Sequence, residues 1–157
     1  MDQSLEKLLK KIALFLNAKK VSWAVGGSTM LNYYNISQTI NNLDIVTTIE
    51  DIDSIHSTLS SMGTTKQRTP NSNFKTKYFF EYTIDGINVN LMSGLCVMLG
   101  DTEHHFPFNK ESVGDIMYLD TVPIPLAKLG DWYNIYKLLP NRDHKVEAIK
   151  KYLLNKK

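Results

Sequence analysis

Three polar residues in two short apolar runs have the spacing of a site built on neighbouring strands. Asn42 and Asp44 lie two residues apart in the first run, and Asn90 lies in a later run of the same character. Side chains two residues apart in a strand point to the same face, so Asn42 and Asp44 project together. Asp44 carries a charge, whereas an asparagine offers a cation only a neutral oxygen. The spacing predicts one polar site with Asp44 as its charged member.

A glycine turn precedes the first of these runs. Gly26, Gly27 and Ser28 follow a short apolar segment, and a helix is predicted from Thr29. Glycine lets backbone N–H groups approach a phosphate closely, and the first turn of a helix adds a positive partial charge. A turn required only for chain reversal would use the same residues. On these residues alone, both interpretations stay open.

Four further residues are of types that bind metals. Glu103, His104 and His105 are adjacent, but no third ligand follows at a helical or hairpin spacing, which favours exposed loop residues over a metal cluster. Cys96 is the one cysteine of the chain and has no CxxC partner, which favours a small buried hydrophobic residue.

The elements that position these residues alternate between helix and strand. Apolar residues at three- and four-residue spacings predict an amphipathic helix at residues 5–16. An Asp85-Gly86 pair between two strand-like runs predicts a hairpin. Residues 67–73 are predicted to form a loop, and the pattern is weak at residues 95–113. Further helices are predicted at 29–34, from Asp51 to a C-cap at Gly63, at 126–139 after Pro123 and Pro125, and at 142–154, with strands at 21–25, 42–47, 77–84, 87–92 and 115–122.

Length and composition predict one mixed α/β (α+β) domain. The 157 residues are 43% hydrophobic, enough for one sizeable core. We expect a mixed sheet in residues 1–122 and closing helices in residues 123–157, so that helices pack at both ends of the chain. The net charge of +2 is too small to predict nucleic-acid or membrane binding by field strength. No apolar stretch has the length of a membrane span, and we expect a cytoplasmic protein.

Three segments resemble the nucleotidyltransferase superfamily. They are AVGGSTMLNYY at residues 24–34, INNLDIVTT at 40–48 and IDGINVNLMS at 84–93. The resemblance is to small bacterial members, which include antibiotic-modifying enzymes, minimal nucleotidyltransferases of toxin–antitoxin pairs and abortive-infection toxins. It implies the mixed sheet of that fold, a triphosphate at Gly26, Gly27 and Ser28, and catalytic positions at Asn42, Asp44 and Asn90. Three carboxylates at those positions would bind Mg²⁺ in the family.

The closing segment, residues 122–149, resembles the last helices of the same proteins, in which basic residues often face the nucleotide. Lys137 and Arg142 are the closest matches, so the resemblance implies that they bind the nucleotide. A solvated helix face explains both residues equally well.

The sequence departs from the family at two of the three carboxylates. Asn42 and Asn90 replace acids, which leaves Asp44 as the metal ligand. A unit charge about 4 Å from a divalent ion contributes roughly 8 kcal/mol at an effective dielectric near 20, before desolvation. Even a fraction of that, lost twice, weakens Mg²⁺ binding strongly. We expect a nucleotide-binding protein that is a weak or inactive transferase, a pseudoenzyme.

Two alternatives remain. The first is an active metal-dependent enzyme that transfers a nucleoside monophosphate to a small molecule, a tRNA or a protein, with another acid serving the metal. Glu81 on a neighbouring strand is one candidate, and Asp51 and Asp53 at a helix start are others, although acids at helix starts commonly act as caps. The second alternative is a partner protein, such as a toxin–antitoxin component. The sequence does not identify the acceptor.

Overall fold

The computed structural model describes residues 1–67 and 74–156. The described residues form five helices: α1 (Gln3–Lys19), α2 (Gly27–Tyr33), α3 (Ile52–Ser60), α4 (Leu129–Leu138) and α5 (Asp143–Asn155). The strands are β1 (Trp23–Gly26), β2 (Leu43–Thr47), β3 (Thr64–Gln67), β4 (Tyr78–Ile84), β5 (Ile87–Ser93), β6 (Leu95–Leu99), β7 (Thr102–Phe106), β8 (Val113–Leu119) and β9 (Val122–Ala127). A 3₁₀ turn at Lys110–Ser112 precedes β8.

Helix α1 confirms the amphipathic pattern at the start of the chain. Its buried residues include Leu5, Leu9 and Ile12, at spacings of three and four. The helix begins where the Asp2 carboxylate accepts a hydrogen bond of 2.8 Å from the Leu5 backbone N–H. It ends where Lys20 turns into the left-handed conformation. The apolar stripe packs the helix onto the sheet core.

A seven-stranded mixed sheet forms the centre of the molecule, with strand order β3-β4-β5-β2-β1-β9-β8. Strand β2 runs parallel to β5, β1 runs parallel to β9, and the other pairs are antiparallel. On one face, Ile45, Val89 and Leu91 are fully buried. The opposite face carries Asp44 and Asn90, because side chains alternate along β2 and β5. This is the predicted fold class, a mixed sheet with helices at both ends of the chain.

The predicted hairpin is confirmed. Asp85 and Gly86 join β4 to β5, and both have positive φ, 52° and 76°. A two-residue turn of this kind matches the twist of the two strands.

The prediction of a C-cap at Gly63 is wrong. Helix α3 already ends at Ser61, and Gly63 is not among the glycines with positive φ. A Cβ at Gly63 would lie 2.1 Å from the carbonyl oxygen of Thr83 on β4. Glycine is therefore required at position 63 by the close approach of β4. The chain continues from Gly63 into β3, a strand that was not predicted because its residues are polar. Of the predicted loop at residues 67–73, Gln67 belongs to β3 and residues 68–73 lie outside the described part.

The segment with the weak pattern contains a second hairpin. Strands β6 and β7 pair as a separate two-stranded sheet. Glu103, His104 and His105 therefore lie in β7, and their interpretation as loop residues is wrong. Polar residues at β7 gave no period-two apolar signal, so only the pairing with β6 defines the strand.

The prediction of a helix from residue 126 is also wrong at its start. Pro123 and Pro125 lie in β9, and α4 begins only at Leu129. Strand β1 pairs with β9 at Val25 and Leu126, beyond both prolines, so their missing N–H groups cost no hydrogen bond to β1. The sheet consequently extends to residue 127, and the closing helices begin after it.

Within the described residues, none of the helices combines the length and the apolar character that a membrane crossing requires.

Candidate functional site

One row of residues crosses four neighbouring strands of the sheet on the same face. Glu81 on β4 lies opposite Asn90 on β5, Asn90 opposite Asp44 on β2, and Asp44 opposite Gly26 on β1. The Asn90 Nδ2 donates a hydrogen bond of 2.9 Å to the Asp44 Oδ1. A carboxylate can only accept, so the Asn90 amide presents its NH₂ group to Asp44. The structure thus brings Asp44 and Asn90 into direct contact.

The glycine turn lies against Asp44. Gly27 has φ of +61°, and a Cβ there would lie 2.1 Å from the Asp44 Oδ2. Only glycine fits at this position. Its positive φ is unfavourable for other residues, and the Asp44 carboxylate occupies the space that a Cβ would need. The Asp44 carboxylate therefore lies between the Asn90 amide and the backbone of the turn.

Gly26 has a different reason for being glycine. A Cβ there would lie 2.3 Å from the ring of Trp132 on α4. The indole consequently packs directly on the turn and fixes α4 above this face of the sheet. Packing alone accounts for both glycines, whatever they bind.

The Ser28 hydroxyl holds the segment before β2. It accepts a hydrogen bond of 2.9 Å from the Asn41 backbone N–H and donates one of 3.3 Å to the Asn42 carbonyl. The Thr29 hydroxyl donates to the same carbonyl. Asn42 is thereby positioned at the start of β2, beside the turn.

A cavity of about 190 Å³ lies over Asp44, beneath α4 and the start of α5. The predicted site residues that line it are Ser28, Asn42, Asp44, Asn90 and Arg142. Gly26 and Gly27 are not in this lining, because Trp132 and Asp44 pack against them. Lys137 is also outside it, because it is exposed on α4 with its Nζ 4.7 Å from the Tyr133 ring centroid.

Sequence reasoning missed a second cation of this cavity, Lys145 on α5. Its Nζ lies 5.0 Å from the ring centroid of Tyr136. The available signal was helical spacing, because Arg142, Lys145 and the buried Ile149 recur at three and four residues and share one face of α5.

Burial sets the charge balance of the cavity. It raises the pKa of the Asp44 carboxyl, against the Asn90 hydrogen bond and the charge of Lys145, which lower it. Burial also lowers the pKa of Lys145, helped by Arg142 and opposed by Asp44. Two cations face one carboxylate, so the cavity has a positive balance when all three are charged, and that balance favours an anionic ligand.

A larger cavity of about 300 Å³ lies on the other side of Trp132. Met92, Leu95, Trp132 and Ile135 line both cavities. Ser93, 2% exposed, lines the larger one, and its hydroxyl has no hydrogen-bond partner among the described residues. A buried hydroxyl without a partner is costly, and a ligand in this cavity would satisfy it.

The remaining acids differ in position. Glu81 lines a polar cavity with Asn42 and Asn90, adjoining the one over Asp44. Asp51 follows the far end of β2 and accepts a hydrogen bond of 2.9 Å from the Ser22 backbone N–H. Asp53 lies in the first turn of α3. Of the three, Glu81 is the acid on the same face as Asp44.

No protein-family model and no curated protein matches this sequence. Solved structures do match. A presumed nucleotidyltransferase of Thermotoga maritima, TM1012, is 26% identical with a TM-score of 0.76, over 99% of this chain and 97% of that one. ANT(2")-Ia in complex with adenylyl-2"-tobramycin is 9% identical with a TM-score of 0.64, over 98% and 90%. The lincomycin-bound lincosamide adenylyltransferase LnuA is 12% identical with a TM-score of 0.59, over 93% and 96%.

Proposed function

Because the chain has the nucleotidyltransferase fold, we propose that it binds a nucleoside triphosphate in the cavity over Asp44 and is a weak or inactive transferase. The observation that carries the proposal is the set of charged groups that line this cavity. Arg142 and Lys145 face Asp44, the one carboxylate among the described residues of the lining. Such a set attracts a polyphosphate more strongly than a dication.

The triphosphate would lie between the glycine turn and α5. The guanidinium of Arg142 can bind phosphate oxygens in a bidentate manner, and Lys145 adds a second positive charge. Both side chains are only partly exposed, so their attraction to an anion is screened less than that of a surface lysine. Of the glycine turn, Ser28 is the residue that lines this cavity and would face the phosphates.

The donor set fits Mg²⁺ poorly. Mg²⁺ bound to protein is held by carboxylates together with substrate phosphates. Asp44 Oδ1 already accepts the Asn90 hydrogen bond, Oδ2 lies against Gly27, and two cations line the same cavity. A Mg²⁺ ion at this site would rest on Asp44 and on the phosphates it accompanies.

One observation favours the alternative of an active metal-dependent nucleotidyltransferase. Glu81 lies directly opposite Asn90 and shares its face of the sheet. Its longer side chain could deliver a second carboxylate from β4 to the position that Asn90 leaves neutral. In that case Glu81 and Asp44 would serve the metal together.

An acceptor would then have a place beside the nucleotide. The larger cavity shares the wall of Met92, Leu95 and Trp132 with the cavity over Asp44, and the Ser93 hydroxyl in it lacks a partner among the described residues. A small amphipathic molecule suits this lining. LnuA is bound to lincomycin and ANT(2")-Ia to adenylyl-2"-tobramycin, so lincomycin and tobramycin are convenient acceptors to assay.

The transfer assay separates these functions. The protein is incubated with each of the four α-labelled triphosphates and Mg²⁺ or Mn²⁺, alone and with lincomycin, tobramycin or bulk tRNA. We expect no labelled acceptor, no labelled protein and no pyrophosphate above the level without protein. Transfer that disappears in Glu81→Gln would overturn this proposal in favour of the active enzyme. Absence of both transfer and triphosphate binding would instead favour the partner protein, such as a toxin–antitoxin component.

A further inference from the structure

The β6–β7 hairpin brings together three metal-binding side chains outside the cavity over Asp44. Cys96 pairs directly with His105, and Glu103 lies two residues before His105 on β7. Because side chains alternate along a strand, these three share one face of the hairpin, whereas His104 points to the other. The Cys96 Sγ, a Glu103 carboxylate oxygen and a His105 ring nitrogen all lie within 4.8 Å of one another.

We propose that Cys96, Glu103 and His105 form a zinc site on this hairpin. Thiolate, imidazole and carboxylate are the ligands that zinc takes in proteins, and soft sulfur selects against Mg²⁺ and Ca²⁺. Bond lengths of about 2.0–2.3 Å place tetrahedral ligand atoms roughly 3.5 Å apart, so no pair of these ligand atoms needs to close by more than about 1 Å. The fourth position is open for water, since Glu103 and His105 are exposed.

The three ligands already lie close together, but the Cys96 thiol must lose its proton before it can bind zinc. Glu103 Oε1 and His105 Nε2 already lie 3.0 Å apart. The Cys96 thiol is 2% exposed, and burial raises its pKa, with a further rise from the charge of Glu103 and a partial offset from Lys75 and the His104 backbone. On binding, the thiol gives its proton to solvent and the S–Zn bond forms, without any change of oxidation state.

Zinc at this position would stabilise the wall of the ligand cavities. The metal would bridge β6 and β7 through Cys96 and His105, and His105 lines the larger cavity together with Leu95 and Phe106. Fixing the two strands together therefore fixes side chains that bound this cavity.

The experiment is a Co²⁺ titration of the full chain without nucleotide, followed by competition with Zn²⁺. Because Cys96 is the one cysteine of the chain, a thiolate-to-cobalt charge-transfer band identifies this residue as a ligand. We expect the band at micromolar Co²⁺, its displacement by Zn²⁺, and its loss in Cys96→Ser. Zn²⁺ should also raise the melting temperature of the parent by several degrees but not that of Cys96→Ser.

The exposed ligands supply variants that leave the core intact. His105→Ala and Glu103→Gln should each weaken Co²⁺ binding by at least about tenfold, since even residues that only orient a metal ligand cost about that much. His104→Ala, the neighbouring histidine on the other face, is the matched control and should bind like the parent. A parent without the charge-transfer band, or equal losses in His105→Ala and His104→Ala, would overturn the zinc site. The readouts do not involve the triphosphate, so they are independent of the proposed function.

Discussion

A hydrogen bond joins the Asn90 amide directly to the Asp44 carboxylate. An aspartate at position 90 would place a second negative charge against Asp44, and only a bound cation would relieve the repulsion. With asparagine, the 2.9 Å hydrogen bond satisfies one Asp44 oxygen in the absence of any ion. The neutral amide thus makes the cavity stable without metal and removes charge that a metal would need.

Restoring the acids should reverse this property. We expect Asn42→Asp/Asn90→Asp to lose about 2 kcal/mol of stability in EDTA, a fall in melting temperature of roughly 4–8 °C for a chain of this size. Mn²⁺ should restore most of that fall, because it binds only the folded state. The measurement is a thermal melt with and without Mn²⁺.

Asn88→Asp is the control for the substitution on β5, since it adds one negative charge at an exposed position of the same strand, opposite Thr83. It should melt alike in both buffers. A double variant that also melts alike in both buffers would mean that the substituted side chains do not meet Asp44. A parent that gains several degrees with Mn²⁺ would mean that its asparagines do not disable the metal site.

Two lysines allow a controlled test of the cation in the cavity. Lys145 lines the cavity over Asp44, whereas Lys137 is exposed on α4, and each lies over a tyrosine ring. Lys145→Met should weaken triphosphate binding by about tenfold or more, which corresponds to about 1.4 kcal/mol. Lys137→Met should change it by less than about twofold. Equal effects, measured by calorimetric titration, would place the phosphates elsewhere.

Much of this site could be predicted from spacing. The two-residue alternation of Asn42 and Asp44, and the hairpin that places Asn90 on β5, are local signals, and the structure brings these residues together. Helical spacing groups Lys145 with Arg142, but its approach to Asp44 depends on how α5 packs against the sheet, which spacing does not contain. The proximity of Cys96 to His105 could not be predicted either, because it depends on the pairing of β6 with β7.

Among the elements, the connection between α3 and β3 was predicted wrongly, and the packing of Gly63 explains why. Gly63 lies where α3 leads into β3, and a Cβ there would meet the Thr83 carbonyl at 2.1 Å. Gly130 in the first turn of α4 has no atom within 4 Å of its would-be Cβ among the described residues. The same substitution should therefore have opposite effects at the two positions.

Gly63→Ala should destabilise the protein by about 1–3 kcal/mol, because the β4 backbone must shift. Gly130→Ala should stabilise it by about 0.5–1 kcal/mol, because alanine loses less freedom on forming a helix. Urea unfolding measures both. A neutral Gly63→Ala would mean that α3 and β4 are not packed as closely as the structure has them.

The strand β9 shows why some elements resist prediction. Pro123 and Pro125 are typical of a helix start or a loop, yet both lie in a strand inside the sheet. The placement works because β1 is short and pairs with β9 only beyond the prolines, at Leu126. This is a property of the neighbouring strand, so no window of sequence around the prolines contains it.

For the whole molecule, the fold matches that of nucleotidyltransferases, whereas the residues of the cavity differ from the family pattern. The chain has the nucleotidyltransferase fold over nearly its whole length, with the glycine turn and β2 in register. The charged groups of the cavity over Asp44 nevertheless favour an anion over a dication. A fold does not fix a function, and the site residues carry the distinction.

On our proposal, the cavity over Asp44 binds a triphosphate without needing a divalent ion. Calorimetric titration with ATP, CTP, GTP and UTP, each in EDTA and in Mg²⁺, measures this binding. We predict that at least one triphosphate binds in EDTA, and that Mg²⁺ changes its Kd by less than about threefold, under 1 kcal/mol. Binding that appears only with Mg²⁺, or no binding in either buffer, would contradict the claim.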